Sequence, residues 1–260
     1  MSLLFQSRAF ITYWLDAVGI HSLHSPFFYD FYSSVVAKDE IAEAYELPEL
    51  IRAKMLSDRS VITVTDLGSG SRINGEATRR ICDIARVSLS PPRRSRLLDR
   101  LARHYGCERI LELGTSLGIN TLYLARDKNR KIATFEGSPE ICKVATENFV
   151  EAGAENIDQI VGDIAETLPA YLSQNQQVDM VFMDANHRYR PTMAYFDLIR
   201  PSLHPKSVVI LDDIHYHPEM EKAWQELRND EAVTASADLF KTGTLFFDPS
   251  LNKQHVVLQY

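Results

Sequence analysis

From Arg109 onward, short apolar runs alternate with amphipathic stretches of helical period. This alternation argues for βαβ units and a mostly parallel sheet. Strands are expected at about 109–113, 131–136, 157–161, 178–183 and 206–212. Helices are expected at about 118–127, 139–152, 164–174, 190–200 and 217–229. The second of these is well marked, with Ser138 as N-cap, Pro139 at the first position and Gly153 past the end. Further β-like segments lie near 232–239, 243–248 and 255–260, and their pairing cannot be read from the pattern.

The first 60 residues read as helical and rich in aromatics. Phe10, Tyr13, Trp14 and Ala17 have helical spacing and suggest one apolar face, packed on the main domain or capping a pocket. Residues 61–65 read as a strand, and 73–105 as helical with a break at Pro91-Pro92. The expected organisation is an N-terminal helical extension over 1–90 and an α/β domain over 91–260. The fold class is α/β: a doubly wound, mostly parallel, Rossmann-like sheet with helices on both faces.

Composition adds limits. The chain has 260 residues, 45% hydrophobic and 24% charged, enough for a sizeable core. A net charge of −7 argues against nucleic acid as a partner. Cys82, Cys107 and Cys142 are scattered, so neither a disulfide framework nor a zinc site is expected. Met1 to Ile20 is broken by Arg8 and Asp16 and does not read as a signal peptide. No run of 18 apolar residues occurs. A cytoplasmic protein is the expectation, and assembly as a homodimer stays open.

The candidate chemistry begins at Arg109-Ile110-Leu111-Glu112-Leu113-Gly114-Thr115-Ser116-Leu117-Gly118. A buried strand runs into a Gly turn and then a helix. Gly114 permits the sharp turn, and Gly118 a close approach of backbone to a ligand. Glu136 ends the next strand, 22 residues after Gly114. A carboxylate there can accept two hydrogen bonds from a ribose diol. The turn is G-x-x-x-G, not the G-x-G-x-x-G of dinucleotide sites. Glu112 has the wrong charge for a pyrophosphate and suits a cationic cofactor such as S-adenosyl-L-methionine. Asp66 to Gly70 also follows a strand, but no second strand with an acidic end follows it. It reads as a structural turn.

On these residues the stretch 93–212 resembles a class I methyltransferase, in the branch of catechol and caffeoyl-CoA-type O-methyltransferases. Ser116 stands where the general motif has its middle Gly. The resemblance implies that Glu112, Gly114, Thr115, Ser116 and Gly118 line the methionine part of the cofactor. It implies Glu136, with Gly137, at the ribose, and Asp163, with Ile164, near the adenine. It covers roughly 150 residues. The first 90 look similar to N-terminal extensions on bacterial members of the class.

Two further strands end in carboxylates, at Asp184 and at Asp212-Asp213. Strand C-termini line the ligand crevice in such sheets, so the three carboxylates would converge beside the cofactor. Mutual repulsion is relieved most cheaply by a cation, and hard oxygen ligands suit Mg²⁺ or Ca²⁺. The resemblance implies two Asp and one Asn as metal ligands; Asp184 and Asp212 match, and Asp213 replaces the Asn. The alternative is that Asp212 and Asp213 cap a helix and bind water. His187 sits where catechol-type enzymes carry a Lys base, and an imidazole of ordinary pKa near 6.5 is a sensible substitute. It could instead only shape the pocket. His215 and His217 are further candidates for substrate or metal. His21 and His24 read as structural. Arg79, Arg80, Arg86, Arg93, Arg94, Arg96, Arg100 and Arg103 read as a solvated helix face, diluted by Asp83, Asp99 and Glu108.

The expected function is methyl transfer from S-adenosylmethionine to a small-molecule hydroxyl, with or without a divalent metal. The rivals are a non-catalytic cofactor-binding module, a methyltransferase acting on nitrogen or a macromolecule, and a NAD-dependent oxidoreductase. Glu112 and the missing third Gly speak against the last.

Overall fold

The computed structural model describes residues 3–38, 42–64, 77–174 and 177–260. The chain divides into two compact units, one of Met1–Lys38 with Asn175–Tyr260 and one of Asp39–Gln174.

In the first unit, α1 (Leu3–Asp16) and α2 (Pro26–Phe31) confirm the helical N-terminus. Pro26 starts α2 because its missing N–H costs nothing in the first turn. Phe27, Phe28 and Phe31 pack edge-on around Phe246, with centroids 4.9, 6.4 and 5.3 Å away. The apolar face of α1 is offset from the one expected. Ala9 and Tyr13 are buried, but Phe10 and Trp14 are 49% and 67% exposed. Tyr13 is drawn inward because its hydroxyl donates to the Leu258 carbonyl at 2.6 Å.

The second unit begins with α3 (Glu46–Ser57) and β1 (Val61–Val64). β1 pairs antiparallel with β2 (Ala77–Arg80). Residues 77–80 were expected to be helical; pairing with the β-branched run of β1 overrides that local preference. Asp66 to Gly70 lies outside the described residues. Next come α4 (Ile81–Ser88) and α5 (Pro92–His104), separated at Pro91-Pro92 as expected. The regular part is β3 (Arg109–Leu113), α6 (Ile119–Leu124), β4 (Lys131–Glu136), α7 (Pro139–Glu151), β5 (Ile157–Val161) and α8 (Ile164–Leu172). The three strands run parallel in the order β3-β4-β5. Tyr45, Ile51, Leu117, Leu122, Tyr123 and Phe149 share the apolar core packed beneath α6 and α7.

The Arg-rich segment, which begins on β2 and not on a helix, is only partly a solvated face. Arg79, Arg80, Arg86, Arg93 and Arg103 are exposed, but Arg100 is buried. Asp99, also buried, pairs with Arg130 at 2.6 Å, Arg126 at 2.9 Å and Arg103 at 3.2 Å, and accepts from the Tyr45 hydroxyl at 2.8 Å. A buried carboxylate needs such partners.

The first unit resumes with β6 (Val178–Met183), α9 (Tyr189–Ile199), β7 (Leu203–Asp212) and α10 (Pro218–Asn229). It ends with β8 (Ala235–Asp238), β9 (Thr242–Phe246) and β10 (Gln254–Val257). The strand order here is β10-β8-β9-β7-β6. β6 and β7 are parallel, while β9 runs antiparallel to both β7 and β8. β10 is parallel to β8, which settles the pairing left open by the sequence. Parallel strands joined through helices make this the doubly wound α/β class expected. Among the described residues no helix is long and apolar enough to cross a membrane.

Candidate functional site

The Gly turn after β3 has the conformation its glycines imply. Gly114, Ser116 and Gly118 have φ of 105°, 48° and 78°. Gly118 is required by packing as well as by φ. A Cβ there would collide with the Phe149 ring, meeting its Cζ at 2.8 Å and the Ala145 Cβ at 3.3 Å. The close approach expected at this glycine is therefore at least partly to α7.

Glu136 closes the turn from the end of β4. Its carboxylate accepts from the Ser116 N–H at 2.9 Å and from the Ser138 N–H at 3.1 Å. The first bond clamps the turn; the second starts α7. Glu136 and Gly137 are half-buried. An acceptor-only carboxylate held at a strand end suits a vicinal diol.

Glu112 is placed differently from a ligand-facing residue. It has no exposed surface, and its Oε2 accepts from the hydroxyls of Thr121 and Thr134, the latter at 2.7 Å. Thr134 also shares a 2.6 Å hydrogen bond with Thr115. Glu112 thus braces strand, turn and helix from inside. The Ser116 hydroxyl donates to Ser88 at 2.8 Å. Asp163 caps α8, accepting from the Ala165 N–H at 2.8 Å, and Ile164 is in the core.

The carboxylates Asp184, Asp212 and Asp213 belong to the first unit, at the ends of β6 and β7. His187 pairs with the first of them. Its Nε2 lies 3.4 Å from Asp184 Oδ1. Its Nδ1 is buried and has no hydrogen-bond partner among the described residues. Burial pulls the imidazole pKa down, but the hydrogen bond and charge of Asp184, with the charges of Asp212 and Asp213, outweigh it and raise the pKa to about 9. The ordinary value near 6.5 expected from the sequence does not apply. Asn186, His187 and Asp213 all have left-handed backbone, with φ of 67°, 36° and 54°. Asn tolerates this readily; His and Asp do so less often. Such strain persists where the surroundings over-determine it, commonly at functional sites.

The metal expectation fares worse. Among the described residues no group of three or more His, Cys, Asp or Glu side chains is arranged to hold a metal ion. Asp213 instead faces Lys241 Nζ at 3.3 Å. The residues do not fit a divalent ion as they stand. His215 is clasped between Asp238 at 2.7 Å and Glu221 at 3.5 Å. His217 caps α10, its ring accepting from the Glu219 N–H at 3.2 Å. Both are thus held in structural contacts. His21 and His24 are exposed.

Two residues escaped the sequence reading. Tyr216 sets its ring 6.4 Å from that of His187, and Lys241 lies 5.7 Å from the same tyrosine ring. Tyr216 stands between the candidates His215 and His217 and could have been noticed. Lys241 carries no local signal.

Comparison with known proteins points the same way. Residues 111–214 match the family pattern of a methyltransferase domain. The catechol O-methyltransferase of Niastella koreensis is 29% identical over 143 residues, covering 53% of this chain and 64% of the relative. That of Mycobacterium tuberculosis is 28% identical over 135 residues, covering 51% and 59%. The chain therefore spans less than two thirds of the length of these relatives. The S-adenosylhomocysteine-bound methyltransferase of Podospora anserina shares the fold, with a TM-score of 0.58 at 17% identity, over 83% of this chain and 92% of that one. With its matched segment beginning inside β3 and ending just past β7, this part of the chain is similar to methyltransferase domains.

Proposed function

We propose that the chain transfers a methyl group from S-adenosylmethionine to the hydroxyl of a small molecule. The observation that carries this reading is the Gly114–Gly118 turn clamped by Glu136 through the Ser116 N–H. The named activity of the curated relatives, catechol O-methylation, supports an oxygen acceptor. The acceptor itself is left at the level of a small hydroxylated compound. A cytoplasmic setting suits the three buried free cysteines. Residues 1–90 are read as an accessory segment outside the chemistry.

S-adenosylmethionine supplies a methyl already activated on a sulfonium. The protein's tasks are alignment and handling of one proton. In this reading Glu136 holds the ribose, with Gly137 beside it. The turn from Gly114 through Thr115 and Ser116 to Gly118 accommodates the methionine part, and Glu112 keeps that turn rigid. Asp163 and Ile164 border the adenine. As the acceptor oxygen attacks, its proton leaves, and in this reading His187 Nδ1, which has no hydrogen-bond partner among the described residues, takes it. Asp184 orients the ring through Nε2, the arrangement of a base held by a carboxylate. Divalent-metal assistance through Asp184, Asp212 and Asp213 is set aside, because Lys241 already faces Asp213.

Calorimetry with S-adenosylhomocysteine tests the cofactor half. Binding is expected at roughly micromolar affinity, about −8 kcal/mol. Glu136→Ala should weaken it by about 1.5–3 kcal/mol, the scale of hydrogen bonds to a charged group. Absence of binding to the unaltered protein would sink the assignment.

A further inference from the structure

Asp213, just past the end of β7, carries a negative charge that a nearby cation meets. Lys241 supplies that cation. It sits on the three-residue turn between β8 and β9. The antiparallel register pairs Thr242 with Asp212, so residues 241 and 213 face each other just beyond the paired ends. Lys241 Nζ donates to Asp213 Oδ1 at 3.3 Å.

The turn is held firmly. The Lys241 N–H donates to the Leu239 carbonyl at 2.9 Å, and the Phe240 N–H to Asp238 Oδ1 at 2.7 Å. Phe240 has a left-handed φ of 68°, and its ring stacks on His215 with centroids 5.6 Å apart. Phe10 and Tyr13 pack against the same ring at 5.2 and 5.1 Å. The ammonium is therefore presented by a braced hairpin.

We propose that Lys241 is the built-in counter-ion of Asp213, and that it lets the acceptor centre work without a divalent metal. The proposal rests on the methyl-transfer reading above. Its logic is a charge count. Asp213 brings one negative charge more than the neutral Asn of the metal-dependent pattern, and Lys241 brings one positive charge to meet it. The pair is neutral overall, as an Asn would be. A divalent cation approaching Asp213 would have to displace an ammonium of like sign, and like charges at such separations repel strongly. Lys241 is thus a positioning residue: it sets the charge and orientation of Asp213, and through Asp213 the field at His187.

The test uses the full chain and the metals alone. Mg²⁺, Mn²⁺, Ca²⁺ and a chelator are expected to leave the melting temperature of the unaltered protein within about 1 °C. Lys241→Met, which keeps the stem but removes the charge, should acquire a metal-dependent rise of about 3 °C or more. Lys241→Arg should behave as the unaltered protein. With 3,4-dihydroxybenzoate as probe acceptor, turnover should survive the chelator, and Lys241→Met should lose about tenfold and regain it with Mg²⁺. A metal-induced rise in the unaltered protein, loss of its turnover on chelation, or no gain of metal response in Lys241→Met would each overturn the proposal. S-adenosylhomocysteine calorimetry in chelator separates the two readings: lost binding condemns the methyltransferase assignment, whereas the metal response of the melting temperature judges Lys241 alone.

Discussion

Gly118→Ala is expected to destabilise the protein by about 2–5 kcal/mol, from two separable costs. The first is backbone: at φ 78° an alanine pays about 1–2 kcal/mol for left-handed conformation. The second is packing: the new Cβ meets the Phe149 ring and Ala145, and overpacking of this kind costs about 1–3 kcal/mol. Phe149 cannot simply turn away, because it belongs to the core shared with Leu117 and Leu122. Its neighbour Asn148 donates to the Leu117 carbonyl at 2.9 Å, which ties α7 to the same turn. Urea unfolding would read the loss as a lower midpoint at unchanged slope. Phe149→Leu separates the costs, since in that background only the backbone part should remain. S-adenosylhomocysteine affinity should fall as well, because the turn that moves is the one Glu136 clamps. A Gly118→Ala protein within about 0.5 kcal/mol of the original would show that the turn is not held as described.

The comparison of sequence and structure divides along one physical line. Features set by local periodicity were legible: β3 through β7 and the helices between them lie within a few residues of their expected positions. Gly118 was legible as a turn residue, but its packing against Phe149 was not, since that depends on how α7 lies over the turn. Glu112 was legible as an acidic residue before a Gly turn. Its burial against Thr121 and Thr134 depends on which strand face it occupies. The strand at 77–80 was missed because its pairing partner, β1, decides it. Arg100 was assigned to solvent by its charge, although α5 turns that position inward. Lys241 was invisible for the same reason. It lies 28 residues from Asp213, and only the register of β7 against β9 brings them together. The raised pKa of His187 could not be foreseen either, because it sums three carboxylates on two separate strands.

His187→Ala should lower turnover by about 10²–10⁴-fold, the usual contribution of a positioned base, while cofactor affinity stays nearly unchanged. The pH dependence sharpens this. With a pKa of about 9, only about 1% of the imidazole is neutral at pH 7. The neutral form is the one that accepts the acceptor's proton. In chelator-treated enzyme, log kcat/KM should therefore climb across the neutral range and bend near pH 9, not near 6.5. Asp184→Asn removes the largest raising influence, so the bend should move to lower pH. Stability gives an independent check. The folded pKa lies above the unfolded value, so the charged form stabilises the fold fully below about pH 6.5, and this contribution is lost as pH rises through about 9. The stability advantage of the unaltered protein over His187→Ala should shrink over that window. NMR titration of the ring proton measures the pKa directly. Near-normal turnover in His187→Ala with an unchanged pH profile would assign the residue to pocket shape alone. A ring that titrates near 6.5 would instead show that the charges of Asp184, Asp212 and Asp213 do not outweigh its burial.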